Sequence, residues 1–256
     1  MKKTFFIFCS LFLLFSLQTA NAQTVEEIVD NYLENIGGME QLNAVSSIKM
    51  IAKGKAQGME LPITMYQKAP GMVRMDMIFQ GKEITQMAFN GEEGWSTNFM
   101  TMEAEKWDAE QSEIMKKDMD FMSAFLGYAD KGYAVALEGE EEVEGTSCFK
   151  VKLTKKPVVV EGKEEENFSY YYFDKDSFVP IMQEEFAKSG PMKGQATQTY
   201  FSDYQEVSGI YFPFSISQKF QGQTAFDLAI EKMELNVEMD KALFQFPEPA
   251  PAESKE

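Results

Sequence analysis

The sequence predicts a single, mainly β domain with added helices (α+β), on three observations. Apolar and polar residues alternate from Ser47 through most of the chain, and Gly- and acid-rich turns recur about every 8 to 14 residues. Helical spacing marks only the N-terminal region and one mid-chain segment. At 256 residues the chain can bury a substantial core, and no internal Pro-rich linker divides it.

The N-terminus carries Lys2 and Lys3, an apolar run over 5–17 and then Ala20-Asn21-Ala22, the pattern of a secretory signal cleaved before Gln23. The run is too short to span a bilayer. Thr24 and Glu27 form a capping box for a helix over 24–36, with Val25, Ile28, Val29, Tyr32, Leu33 and Ile36 at helical spacing until Gly37-Gly38 stops it. A short helical turn over 39–45 carries Met39, Leu42 and Val45 on one side. Val73, Met75, Met77 and Phe79 then alternate with Arg74, Asp76, Ile78 and Gln80, as a strand with one buried face requires. Asn90-Gly91 is a hairpin turn between a strand over 82–89 and another around Trp95. Asp108 and Gln111 resemble a helix start, and Ile114, Met115, Met119, Met122, Phe125 and Leu126 extend that pattern into one amphipathic helix over 108–126, lying across the sheet. Strands follow over 133–137, 148–154, 168–173, 180–186, 195–204, 212–220 and 225–235, and residues 248–256 form a disordered, acidic, Pro-rich tail after the domain of 23–247.

Composition removes several functions. Without residues 1–22 the chain keeps 22 basic and 41 acidic groups, a net charge of −19, so nucleic acid is a poor partner and anionic membrane contact is at most transient. There is no His, which excludes a His base, a Ser/His/Asp triad and His metal ligands. Cys148 is the only thiol after signal removal, in an ordinary strand pattern, so no internal disulfide can form. The acidic groups at 138–144 and 164–166 fall where hairpin turns are expected and lack the spacing of a Ca²⁺ loop. No cofactor or metal site is nominated. A glycosidase pair could be drawn from the many carboxylates, but the sequence singles out no two.

Methionine is the unusual residue. Eleven of the seventeen outside the signal lie between Met59 and Met122. Their flexible, polarizable side chains suit either a core or an adaptable apolar cavity. The candidate lining is Val73, Met75, Met77, Phe79, Trp95, Met115, Met119, Met122, Phe125, Tyr170 and Tyr172.

An ordered set of short motifs resembles the LolA-like family of outer-membrane lipoprotein-sorting proteins. These are the helix ending in Gly37-Gly38, Lys68-x-Pro70 before a strand with Arg74, Asn90-Gly91 with Gly94-Trp95, Tyr172-Phe173-Asp174 with Pro180, Phe201-Ser202-Asp203-Tyr204 with Gly209 and Pro213, and Leu243-Phe244-x-Phe246-Pro247. The resemblance implies an unclosed, curved antiparallel β-barrel of about eleven strands, with the N-terminal and mid-chain helices as a lid over an apolar cavity. It implies a periplasmic, non-enzymatic carrier of lipoprotein acyl chains or lipids, with an inner-membrane export complex and an outer-membrane acceptor as partners. Where the family's best-known carriers place an Arg directly before the strand-leading Pro, this chain has Ala69, with Lys68 one place earlier. Lys68 and Arg74 are therefore the candidates for a lid latch. Two other functions stay open: an envelope sensor that binds lipid or lipoprotein through the same fold, and a hydrolase using two carboxylates.

Overall fold

The computed structural model describes residues 23–247 except Gln57 and Ser189, so the expected signal peptide and tail lie outside the described residues. Thirteen strands form one antiparallel sheet. Along its first arm run β1 (Ser47–Ala56), β2 (Met59–Lys68), β3 (Met72–Phe79), β4 (Lys82–Phe89), β5 (Gly94–Thr97) and β6 (Ala104–Lys106). The second arm holds β7 (Ala134–Val143), β8 (Thr146–Thr154), β11 (Phe168–Asp174), β12 (Pro180–Phe186), β13 (Ala196–Val207), β14 (Ile210–Phe220) and β15 (Gln223–Leu235). Strands β9 (Val158–Val160) and β10 (Lys163–Glu165) form a separate hairpin. The order β6-β5-β4-β3-β2-β1-β15-β14-β13-β12-β11-β8-β7 leaves β6 and β7 as edges, so the barrel is unclosed. Register shifts at Ile51/Ala52, Met75/Asp76, Leu137/Gly139, Tyr172/Phe173 and Gln218/Lys219 are places where bulges add twist and curvature.

The thirteen strands exceed the roughly eleven that the family resemblance implies, and the edges carry little apolar pattern. β6 is Ala-Glu-Lys, and β7 absorbs Glu138, Glu140, Glu141 and Glu142, which the sequence had placed in a turn. An edge strand pairs on one side only and tolerates such charge, which also discourages pairing with another chain. The turn itself is confined to Glu144 and Gly145.

Helix α1 (Val25–Asn35) begins with the expected capping box, Thr24 N–H to Glu27 Oε2 at 3.0 Å and Glu27 N–H to Thr24 Oγ1 at 3.2 Å. It buries Ile28, Val29, Tyr32 and Leu33 in the concave face of the sheet against Val151, Leu153, Phe173 and Ile210, joined by Leu42 of α2 (Gly38–Ala44). Each such side chain contributes roughly 1.5–3 kcal/mol, which sustains a helix too short to persist alone. Gly37 is required at the turn: its φ is 136°, and a Cβ there would lie 2.8 Å from the Gly209 carbonyl oxygen.

The mid-chain helix is shorter than expected. Helix α3 (Ala109–Asp118) has the expected Asp108–Gln111 capping box, but Met119 is already extended, and residues 119–133 are a succession of turns in which Met122 and Gly127 have φ of 69° and 62°. Helical spacing over 119–126 was satisfied by tertiary burial instead. Phe125 enters the core while Asp118 and Asp120 are held by lysines from three directions, an arrangement a continuous helix could not present. Propensity is a weak prior beside such contacts.

Candidate functional site

The sheet register decides which predicted residues share a wall. Cross-strand partners place Met233, Met50, Met65, Met75 and Met87 in one row across β15, β1, β2, β3 and β4. A second row runs Ile230, Ala52, Ile63, Met77 and Ile84. Met50, Met77 and Met233 are buried in the core shared with α1, and Met65, Met75 and Phe79 pack against it. Val73 lies on this face by alternation and is buried beside Phe89 in the register.

Three predicted residues face the other way. Trp95 pairs with Ala88, which pairs with Arg74, and all three sit on the convex face. There Trp95 Nε1 donates to the Phe244 carbonyl at 3.4 Å and its ring meets Phe246 edge-on. Tyr172 packs with Val143, Cys148 and Met182 in a separate small cluster, with Tyr170 against it, whereas Tyr171 and Phe173 enter the main core. An unbroken aromatic run hides its own parity, so the sequence alone does not say which of its side chains enter the main core.

The predicted latch is corrected too. Arg74 Nε donates to both Asp76 oxygens at 2.8 and 2.9 Å, and Nη1 donates to the Leu243 carbonyl at 2.7 Å. Asp76 is buried and also accepts from Thr85 Oγ1. Arg74 thus ties residues 240–247 to the convex face, far from the concave core, and Lys68 makes no ion pair among the described residues.

What closes the concave face is the strap of residues 119–133, between α3 and edge strand β7. Phe125 is its plug, 1% exposed, with ring centroids 4.8 Å from Tyr171, 5.3 Å from Phe173 and 5.9 Å from Tyr32. Tyr32 OH donates to Ser123 Oγ at 3.3 Å. The strap is pinned by charge. Lys131 Nζ lies 2.7 Å from Asp120 Oδ1, and Lys155 Nζ lies 2.7 Å from Oδ2 at an angle outside hydrogen-bonding range. Lys188 Nζ donates to Asp118 Oδ2 at 2.8 Å and Asn167 Nδ2 to Oδ1 at 2.6 Å. Isolated charges at lysine and aspartate positions gave the sequence reading no signal, because their partners are 11 to 70 residues away.

Among the described residues the strap and its plug fill the part of the concave face in front of Tyr32, Tyr171 and Phe173. Beneath the strap is a cleft of about 290 Å³ lined by Tyr32, Met122, Phe125, Lys155, Tyr171 and Tyr204, at the low end of ligand-pocket sizes. A neighbouring open groove of about 600 Å³ runs past Met115, Met119, Phe168, Phe186 and Lys188, and shares Asp118, Asp120 and Glu185 with the cleft. Burial raises the phenol pKa values of Tyr32, Tyr171 and Tyr204, and burial with the nearby Asp120 carboxylate pushes Tyr133 up to about 12. These groups therefore stay neutral at ordinary pH. Burial, with Asp174 nearby, also pushes the Cys148 thiol up to about 11, which keeps it protonated and unreactive. Among the described residues no group of three His, Cys, Asp or Glu could hold a metal, and no helix is long and apolar enough to cross a membrane.

No curated protein sequence matches the chain. Two solved structures share its architecture. A DUF1329 family protein from Desulfovibrio piger is 15% identical, with a TM-score of 0.56 over 88% of this chain and 98% of that one. A LolA superfamily protein from Nitrosomonas europaea is 12% identical, with a TM-score of 0.55 over 88% and 99%. At these identities the likeness concerns the fold. A family model described only as like an uncharacterized protein matches residues 97–247, more than half the sequence. The chain belongs to that uncharacterized-protein family and has the LolA-like fold.

Proposed function

We propose that the protein is an exported, non-catalytic binder of acyl chains that receives them on the concave face of its sheet when the strap moves aside, and that it carries lipids or lipoproteins through the periplasm. The observation that carries this reading is the contrast in how the concave face is covered. Its sheet wall is continuous and apolar, with a five-methionine row that can repack around chains of different shape. Its cover at one side is a strap without regular secondary structure, held by Phe125 and Ala124 in the core, by partly buried side chains such as Met122 and Leu126 packed against it, and by a few polar pins. Such a cover opens at smaller cost than a packed helix or strand. Each methylene moved from water to this face contributes about 0.8 kcal/mol, so a chain of ~14 carbons gives on the order of 10 kcal/mol gross to set against displacing the strap. Delivery then requires an acceptor that offers an equally apolar site.

The test is native mass spectrometry of protein purified without detergent, alongside titration with the neutral fluorophore N-phenyl-1-naphthylamine. Co-purifying acyl lipid and saturable probe binding are expected. Protein free of lipid that also fails to bind the probe refutes the carrier reading. Accumulation of lipoprotein at the inner membrane on depletion would identify lipoproteins as the cargo.

A further inference from the structure

The strap has the chemistry of an amphiphile. It presents two carboxylates, Asp118 at its root and Asp120 within it, and five residues beyond Asp120 it presents Phe125, which fills an aromatic box of Tyr32, Tyr171 and Phe173. The complementary surface stays on the sheet. Lys155 follows β8 and Lys188 follows β12, and their side chains are only 10% and 21% exposed while the strap is closed. Lys131, by contrast, rides on the strap. Removing the strap strips Lys155 of Asp120 at the same moment that it empties the aromatic box, and a displacement that reaches its root at Asp118, the last residue of α3, also takes from Lys188 its carboxylate and from Lys155 the Asp118 carbonyl to which its Nζ donates. A neutral chain could refill the box but would leave two partly enclosed ammonium groups without their carboxylates. A chain that ends in an anion would restore both halves.

Resting on the displaceable strap proposed above, we infer that the cargo is an anionic amphiphile, with a carboxylate or phosphate head between Lys155 and Lys188 and its chain in the place of Phe125. The strap is then an internal stand-in for the ligand, and binding is an exchange of one anion-plus-apolar group for another. Glu185 bounds the head position. It lines both the cleft and the groove, its Oε1 accepting from Gln183 Nε2 at 2.7 Å and Ser169 Oγ at 3.2 Å, so an anion is confined to the lysine side.

Displacement of N-phenyl-1-naphthylamine from the purified protein by twelve-carbon competitors tests this. Dodecanoate and dodecyl phosphate should compete at concentrations about tenfold below dodecanol, the factor expected for one charge-assisted contact, and dodecylamine should gain nothing. The stronger of the two anions distinguishes a fatty acid from a phosphate-bearing lipid. Lys155→Met with Lys188→Met should erase the anion advantage, read as the ratio of dodecanoate to dodecanol in the same variant, because weaker strap closure raises the affinity for both alike. Lys188→Gln, at the less enclosed position, should reduce the advantage several-fold even if the double variant does not fold. Glu185→Gln should strengthen the anions alone. Equal competition by dodecanoate and dodecanol in the unaltered protein, or an advantage that survives loss of the lysines, overturns the inference while leaving the carrier reading intact. Absence of any probe binding removes the carrier reading as well.

Discussion

Phe125→Ala separates a plug from an ordinary core residue. In a rigid interior, truncating a fully buried Phe destabilises a protein by about 3–5 kcal/mol. Part of this comes from its three ring contacts, at 4.8 to 5.9 Å, at roughly 0.5–1.5 kcal/mol each. If the strap is a removable cover, that loss falls on strap closure more than on the sheet, whose strand register is made without the strap and whose core, although it takes in Ala124 and Phe125, is built mainly from α1, Leu42 and strand residues such as Val151, Leu153 and Phe173. Weakening closure by about 3 kcal/mol raises the open population roughly 100-fold, and the apparent affinity for a chain rises with it until the open form predominates. Urea unfolding and N-phenyl-1-naphthylamine titration, run on the same preparation, read the two effects separately. The expected result is a small loss of global stability with much tighter probe binding. A full 3–5 kcal/mol loss of global stability with unchanged probe affinity would refute the plug, because Phe125 would then belong to the cooperative core.

Two further outcomes concern the Arg74 tether and the buried tyrosines. Arg74→Met leaves Asp76, whose side chain is 6% exposed, without its cation and frees the Leu243 carbonyl; a loss of about 3–5 kcal/mol is expected, with residues 240–247 becoming the first site of proteolysis, and unchanged stability would show the tether to be idle. In alkali, Tyr133, Tyr171 and Tyr204 hold their protons to higher pH when folded than when unfolded. Between the ordinary phenol pKa near 10 and the Tyr133 value of about 12 the unfolded chain therefore binds fewer protons, so stability falls as pH rises through that window. Phenolate absorbance should accordingly rise in a late step coincident with unfolding; smooth titration of all tyrosines near pH 10 contradicts it.

Local signals in the sequence were reliable where neighbours along the chain decide the outcome. Thr24 and Glu27 cap α1 as their spacing requires, and Asn90 closes its hairpin by accepting from the Glu92 and Glu93 amides. The wall of Val73, Met75, Met77 and Phe79 was legible because strict alternation allows one parity. The sequence reading failed where the pattern admits two solutions. Phe168 to Phe173 is apolar on both faces of β11, since a small convex cluster claims Tyr172 while the main core claims Phe173. Residues 119–126 carry helical spacing, yet their fate was set by lysines at 131, 155 and 188 that no local window contains.

The position of the strap explains why it, and not a helix, completes this sheet. Two unpaired edges, β6 and β7, must be spanned by the chain that joins them, and that connection passes through α3 and residues 119–133. A hydrogen-bonded strand there would close the barrel permanently, because every ladder bond would have to break for a chain to enter. A long helix would seal the mouth with many apolar contacts at once. The observed solution closes the mouth with Phe125, the apolar strap side chains around it and the ion pairs of Asp118 and Asp120, and in the proposed exchange an incoming amphiphile takes the place of the plug and the carboxylates. Exchange of like for like keeps the buried lysines paired throughout, and so lets an enclosed apolar face open without a large uncompensated charge along the way.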